Sequence, residues 1–315
     1  MVSDGINLFS RHCRRQYGQS VGKIALNLGL VCPNRRLGGC TYCAPASFTP
    51  YYLDEGGTIA DQLARGRRFL AARKFKRYFA YFQQESSTAG PLDELLAAFS
   101  EAMAGPDCVG LIVSTRPDCL GEEVVQALAL LRRRGEAKEI LVEVGLQSAH
   151  DHTLRRINRN HSYQDFVVAA QRLKAAGLGL GVHLIIGLPG EDLAAMLATV
   201  RNVVSLGVEA IKFHHLQVIR GTALHREYLD SPFPVYSPHD YLTILARLLA
   251  HVPASVVIHR LWSSSDPALL IQPDWGGMGA YELHAELSAI MAREGLGQGV
   301  LCGGDQAADE GDTRP

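Results

Sequence analysis

Six times in succession, a short apolar run rich in β-formers is followed by a helical pattern. The runs are KIALNLGLV (23–31), RYFAYFQ (77–83), VGLIVST (109–115), EILVEVGLQ (139–147), LGLGVHLIIG (178–187) and VEAIKFHHLQV (208–218). Helical stretches separate them over 58–74, from Pro91 onward, over 121–134, up to Gly177, and over 190–206. Strands that alternate with helices form a parallel sheet with the helices outside, and right-handed crossovers curl it toward a barrel. The pattern predicts an α/β fold, a partial parallel (β/α)6 barrel. Past residue 220 the rhythm changes: a helix is expected over 238–251, one more strand over 255–259 and a last helix over 281–294. The expected division is a polar N-terminal segment over 1–20, the barrel domain over 21–260, a C-terminal extension over 261–302, and a disordered Gly/Asp-rich tail over 303–315.

Composition narrows the class of partner. A formal charge of −1 on 315 residues gives no global pull toward nucleic acid or an anionic membrane. The first twenty residues lack the apolar core of a secretion signal, and no stretch reaches the roughly 18–20 apolar residues of a membrane span. The nearest, GLGLGVHLIIGLPG, is interrupted by His183. Seven cysteines without a secretion signal point to a reducing compartment, so a cytoplasmic protein with no membrane partner is expected.

Three of those cysteines, Cys32, Cys40 and Cys43, fall within CPNRRLGGCTYC, directly after the first strand. Ligand sites of such folds lie at the C-terminal ends of the strands, so this loop sits at the functional end. Gly38 and Gly39 let it turn tightly. A [4Fe–4S] cube held by three thiolates leaves one iron open to a substrate or cofactor, which suits chemistry better than electron storage. Zinc is the competing reading: Cys40 and Cys43 form C-x2-C, and Cys13, Cys302 or a histidine would complete four ligands.

The cysteines stand at C-x7-C-x2-C, with Tyr42 before the last. YFAYFQ, STRPDCL, VEVGLQSAHDHTLRRINRNH, HLIIGLPGE and VIRGTAL follow in order, over roughly residues 20–260. This ordered set resembles the radical S-adenosylmethionine (SAM) superfamily, and within it the YhcC-type proteins, which are related to the Elongator catalytic-subunit-like group. The cysteine loop is a few residues shorter than is usual there. The resemblance implies a radical-SAM-type barrel with Cys32, Cys40 and Cys43 on a [4Fe–4S] cluster and SAM on its open iron. Reductive cleavage of SAM would give a 5′-deoxyadenosyl radical that abstracts hydrogen from an unidentified substrate. A flavodoxin- or ferredoxin-type reductant is implied, because the cluster must receive electrons.

The same resemblance places the SAM contacts. Ser114 would meet the ribose, although STRPD also reads as a plain strand-to-helix turn. Glu143 and Gln147, four residues apart on one strand, share a face and need partners; ribose hydroxyls or the SAM amino group would serve, as would an arginine inside the barrel. Arg159 would pair with the SAM carboxylate through its guanidinium fork. Arg155 and Arg156 suit a solvated face, and His161 suits the surface equally well. His183 falls where relatives carry a polar residue reaching the cofactor, or is a hydrogen-bonded core histidine. Gly187 would let backbone approach the adenine, or simply make a tight turn, and Leu216 would lie near the adenine. Lys212, His214, Gln217, His259 and Arg260 are candidates for the substrate side. No catalytic residue is assigned.

RGRRFLAARKFKR (65–77) carries seven basic residues and no acid. It reads as a solvated helix face or as a docking strip for RNA. The Elongator-like relatives act on tRNA, so a tRNA-modifying radical SAM enzyme with a tRNA contact through residues 65–77 is one alternative. A non-catalytic zinc or iron–sulfur module is the other.

Overall fold

The structure, a computed structural model, describes residues 5–53, 57–134 and 138–302. Helix α1 (Phe9–Tyr17) precedes strand β1 (Val21–Leu26), helix α2 (Ile59–Ala72), strand β2 (Arg77–Phe82) and helix α3 (Leu92–Met103). Then come β3 (Cys108–Thr115), α4 (Glu122–Arg134), β4 (Glu139–Gln147), α5 (Asp151–Arg156), α6 (Tyr163–Ala175) and β5 (Gly179–Ile186). The chain continues through α7 (Leu193–Ser205), β6 (Ala210–His215), β7 (Val218–Ile219), α8 (Ala223–Asp230) and α9 (Pro238–Ala250). It closes with β8 (Val257–Arg260), β9 (Leu270–Gln272) and α10 (Ala280–Arg293).

Seven strands form one sheet in the order β1-β2-β3-β4-β5-β6-β8, and every neighbouring pair is parallel. The six expected strand–helix units are present, and the run at 255–259 supplies the seventh strand. All eight residues of β3 are buried, as a strand covered on both faces requires. The outer layer comes from helix stripes such as Phe166, Ala169, Ala170 and Leu173 of α6. Each large side chain so buried contributes about 1.5–3 kcal/mol. Capping boxes at Thr58/Asp61 and Ser162/Asp165 start α2 and α6, each adding about 1 kcal/mol.

The sheet curls until its edges meet. Lys23 on β1 and His259 on β8 belong to opposite edge strands, yet Lys23 Nζ is 3.1 Å from His259 Nδ1. Helix α1 fills the seam. Its Phe9 ring lies 4.7 Å from His259 and 5.8 Å from Phe79, and Lys23 Nζ sits 4.0 Å above it. The segment read as merely polar is therefore an amphipathic helix. Phe9, Cys13 and Tyr17 recur every four residues and pack with Val21, Phe79, Tyr81, Val109 and Ile112 into an apolar plug inside the half-barrel.

Two strand ends differ from expectation. β1 stops at Leu26 because Asn27 turns the chain: its side chain accepts from Gly29 N–H at 2.9 Å, and Gly29 has φ +71°. The sixth run stops at His215, and Val218–Ile219 pairs antiparallel with β9 instead. The tail over 303–315, expected to be disordered, lies outside the described residues.

Candidate functional site

The cysteine loop crosses the mouth of the half-barrel and is pinned by asparagines. After Cys32 a tight turn over Pro33–Leu37 ends in Gly38 and Gly39, with φ +91° and +74°. Asn158 and Asn160 flank Arg159 and both adopt the left-handed conformation that asparagine tolerates. Asn158 Nδ2 donates to the carbonyls of Leu37 and Gly39 at 2.9 and 2.7 Å. Asn34 Nδ2 donates to Asn158 O at 2.8 Å, and Asn160 Nδ2 to Asn34 Oδ1 at 2.7 Å. Thr41 N–H donates to Ile157 O at 3.0 Å. The INRN stretch thus holds the loop and orients Arg159 together.

All three cysteines are free thiols lining one cavity of about 230 Å³. Arg159 Nη1 lies 3.4 Å and Asn34 Nδ2 3.2 Å from Cys40 Sγ, and Ser86 Oγ is 3.7 Å from Cys32 Sγ. Burial pushes the Cys40 thiol up, but Arg159, Arg116 and Asn34 outweigh it and bring it below its ordinary value. Burial and the neighbouring Cys40 push Cys43 up to about 12. Arg159 Nη2 donates to Gly145 O at 2.5 Å, while its buried Nε has no partner. Arg116, 2% exposed, pairs with Asp118 and donates to Arg159 O at 2.8 Å.

Beneath the thiols lies a polar floor that sequence reasoning did not assemble. Glu143, 1% exposed, receives Lys212 Nζ at 2.5 Å, His183 Nε2 at 3.0 Å and Ser114 Oγ at 3.2 Å on Oε2. Its Oε1 is 2.9 Å from His259 Nδ1. Lys212 Nζ also reaches Tyr81 Oη at 2.6 Å. Burial alone would raise Glu143; Lys212, His183 and His259 overturn that and hold the carboxyl well below the usual range. Burial depresses both histidines, His183 to about 4 and His259 to about 3. The lysine inside the apolar stretch AIKF was the available signal, since a buried ammonium requires a partner.

The remaining sequence candidates separate clearly. Ser114, Glu143, Gln147, Arg159, His183 and Leu216 line the same cavity as Cys32, Cys40 and Cys43. Gln147 reaches it through an irregularity between Gly145 and Gln147 and a φ of +78°, not through plain alternation. Lys212, His214, Gln217 and Arg260 line it too. Gly187 stands back: its φ is +89°, and a β-carbon there would meet the Tyr236 ring at 2.9 Å, so it serves a turn and a packing contact. His161 is buried and not a surface residue; burial and nearby Arg159 lower it to about 4.

The basic strip lies elsewhere. α2 returns from the cysteine end of β1 to the start of β2, so Arg73–Arg77 sits at the barrel end opposite the thiols. Arg73 stacks on Phe69 at 3.9 Å, Arg77 lies 5.5 Å over Tyr17, and Arg67 donates to Tyr78 Oη at 2.8 Å.

Among the described residues no three His, Cys, Asp or Glu side chains converge on one ion. Cys13 is sealed in the apolar plug, and Cys302 lies near Ala250 O, so neither reaches the loop.

A parallel half-barrel with three thiols over a polar cavity at its strand ends defines a class, and the comparisons agree. The Radical SAM superfamily model matches residues 26–203, and the Radical_SAM C-terminal domain model matches 208–291. The chain belongs to the radical SAM superfamily. It is 36% identical over 274 residues to protein YhcC of Escherichia coli (strain K12), covering 86% of this chain and 87% of that one. It is 33% identical over 297 residues to YtqA of Bacillus subtilis (strain 168), covering 91% and 90%. Among solved structures, archaeal Elp3 of Methanocaldococcus infernus with an N-terminal deletion superposes with a TM-score of 0.66 at 19% identity, over 88% of this chain. This chain spans 64% of that one, and the likeness is one of fold. Family membership implies a [4Fe–4S] cluster and SAM. No helix among the described residues is long and apolar enough to cross a membrane.

Proposed function

We propose that the chain is a radical SAM enzyme in which Cys32, Cys40 and Cys43 hold a [4Fe–4S] cluster and the cavity beneath them takes SAM and a substrate. The observation that carries this reading is that the three thiols line one cavity, with Arg159 and Asn34 on Cys40 and Ser86 on Cys32. When bound, the cluster supplies one electron to split SAM reductively, giving methionine and a 5′-deoxyadenosyl radical that abstracts hydrogen from the substrate. The protein's own part is orientation and exclusion of water. Arg159, a guanidinium lining the cavity, grips the SAM carboxylate in this reading. Gln147, Ser114 and His183 offer hydrogen bonds to the ribose and amino group, and Leu216 and Ile185 offer apolar cover.

Glu143 with Lys212 serves as a buried floor held by fixed partners: His183, His259 and Lys212 on Glu143, and Tyr81 and Glu143 on Lys212. A flavodoxin- or ferredoxin-type protein is the proposed electron donor. A tRNA contact through residues 65–77 is left out of this reading, because Arg73–Arg77 is at the opposite end from the cavity. The test is anaerobic reconstitution, reduction with dithionite and chromatography of the products. The wild type is expected to form 5′-deoxyadenosine and methionine, and Cys32→Ala, Cys40→Ala and Cys43→Ala to form neither. Product formation undiminished in all three variants would overturn the reading.

A further inference from the structure

Five cationic side chains line the cavity: Arg35, Arg116, Arg159, Lys212 and Arg260. Four have a partner that answers their charge. Arg35 pairs with Glu85, Arg116 with Asp118, Lys212 with Glu143, and Arg159 reaches the Cys40 thiol. Arg260, at the end of β8 and beside Lys212 in the sheet register, has no acidic or hydrogen-bonding partner for its side chain among the described residues. Arg260 is half-buried and lines the cavity, so its guanidinium fork is available to an anionic group that enters there.

A second unsatisfied group stands close by. Ser263 Oγ lies 3.2 Å from His215 O. Ser263 Oγ also lies 3.2 Å from His214 Nδ1, so its proton serves one of the two contacts. Whichever it serves, His214 Nε2 is buried and has no hydrogen-bond partner among the described residues. Burial, Arg260 and His183 all disfavour a charged His214 ring.

We infer that Arg260 and His214 form the substrate's seat: Arg260 binds an anionic group, carboxylate or phosphate, and His214 Nε2 hydrogen-bonds a polar atom next to it in the same molecule. The inference rests on the proposed function for the meaning of "substrate", but the seat can be tested without turnover. Calorimetric titration of the reconstituted, SAM-loaded protein would use two probe pairs: acetate against glycolate, and ethyl phosphate against 2-hydroxyethyl phosphate. At least one pair is expected to bind at millimolar concentration, and the preferred pair tells carboxylate from phosphate. Arg260→Gln is expected to weaken that pair about tenfold or more, with Arg260→Lys in between. The hydroxyl-bearing member is expected to bind several-fold tighter, and His214→Phe to close the gap. No binding by the wild type, equal binding by Arg260→Gln, or no hydroxyl preference would overturn the inference. The SAM-dependent paramagnetic resonance change of the cluster, recorded on the same samples, separates the two readings. If it is absent from the wild type, the proposed function fails, and the same titrations of the protein without SAM still decide the fate of the seat.

Discussion

Lys212 Nζ sits 2.5 Å from Glu143 Oε2 in the barrel floor, and neither side chain meets solvent. Removing one charge strands the other in a low-dielectric interior, which costs about 3–5 kcal/mol. Glu143→Gln is therefore expected to lower the denaturation free energy by that amount, measured by urea unfolding of the cluster-free protein. Glu143→Gln combined with Lys212→Met is expected to recover a good part of the loss. A loss below about 1 kcal/mol in the single variant would contradict the burial and pairing described.

Asn158 combines a φ of +51° with two side-chain bonds to the cysteine loop. Asn158→Gly keeps the backbone freedom and loses only the bonds, whereas Asn158→Ala loses both. We expect Asn158→Ala to be the less stable by roughly 1 kcal/mol. Both variants are expected to expose the loop to proteolysis sooner than the wild type. The reverse order of stability would show that the left-handed backbone is not what Asn158 provides.

The strand–helix rhythm was legible because each run obeyed a local rule, apolar β-formers then a helical period, and all six runs lie in the sheet. The cysteines were legible for a similar reason, being close in sequence around Gly38 and Gly39. Helix α1 was hidden because its buried stripe is only Phe9, Cys13 and Tyr17 among charged neighbours, and the seam it fills exists only after the sheet has curled. The partners of Glu143 were hidden because Lys212 and His259 are 69 and 116 residues away and meet it only inside the curled half-barrel. Sequence raised an arginine as its partner; the structure supplies a lysine and two histidines. Sequence left Gly187 open between a ligand contact and a tight turn; its positive φ beside Tyr236 is the turn, a feature that looks the same in sequence as a glycine needed by a ligand.

Stability should fall on mild acidification. Burial lowers His161 and His183 to about 4 and His215 and His259 to about 3. Because the folded state keeps these rings neutral, the unfolded chain takes up protons first once the pH drops below about 6.5. The histidine contribution is expected to be constant above about pH 7 and to fall from about 6.5 toward 4, at up to about 1.4 kcal/mol per pH unit for each histidine. Glu143 stays charged throughout, its folded value being held well below the carboxylate range. Melting temperatures across that range check this, and a profile that rises on acidification would contradict it.

Arg159 lines the cavity and meets Cys40 with one nitrogen and Gly145 O with another, while its buried Nε has no partner. A lysine cannot reproduce that fork. Arg159→Lys is expected to bind SAM at least tenfold more weakly while still assembling a cluster, checked by equilibrium dialysis beside iron analysis. Unchanged SAM affinity would assign Arg159 to loop structure alone.

The most direct measurement is electron paramagnetic resonance of the anaerobically reconstituted, reduced protein with and without SAM. About four irons per chain are expected, with a cluster signal that changes shape when SAM is added and disappears in Cys40→Ala. Zinc in place of iron, or a cluster signal indifferent to SAM, would contradict the assignment of Cys32, Cys40 and Cys43 as ligands of an open [4Fe–4S] centre.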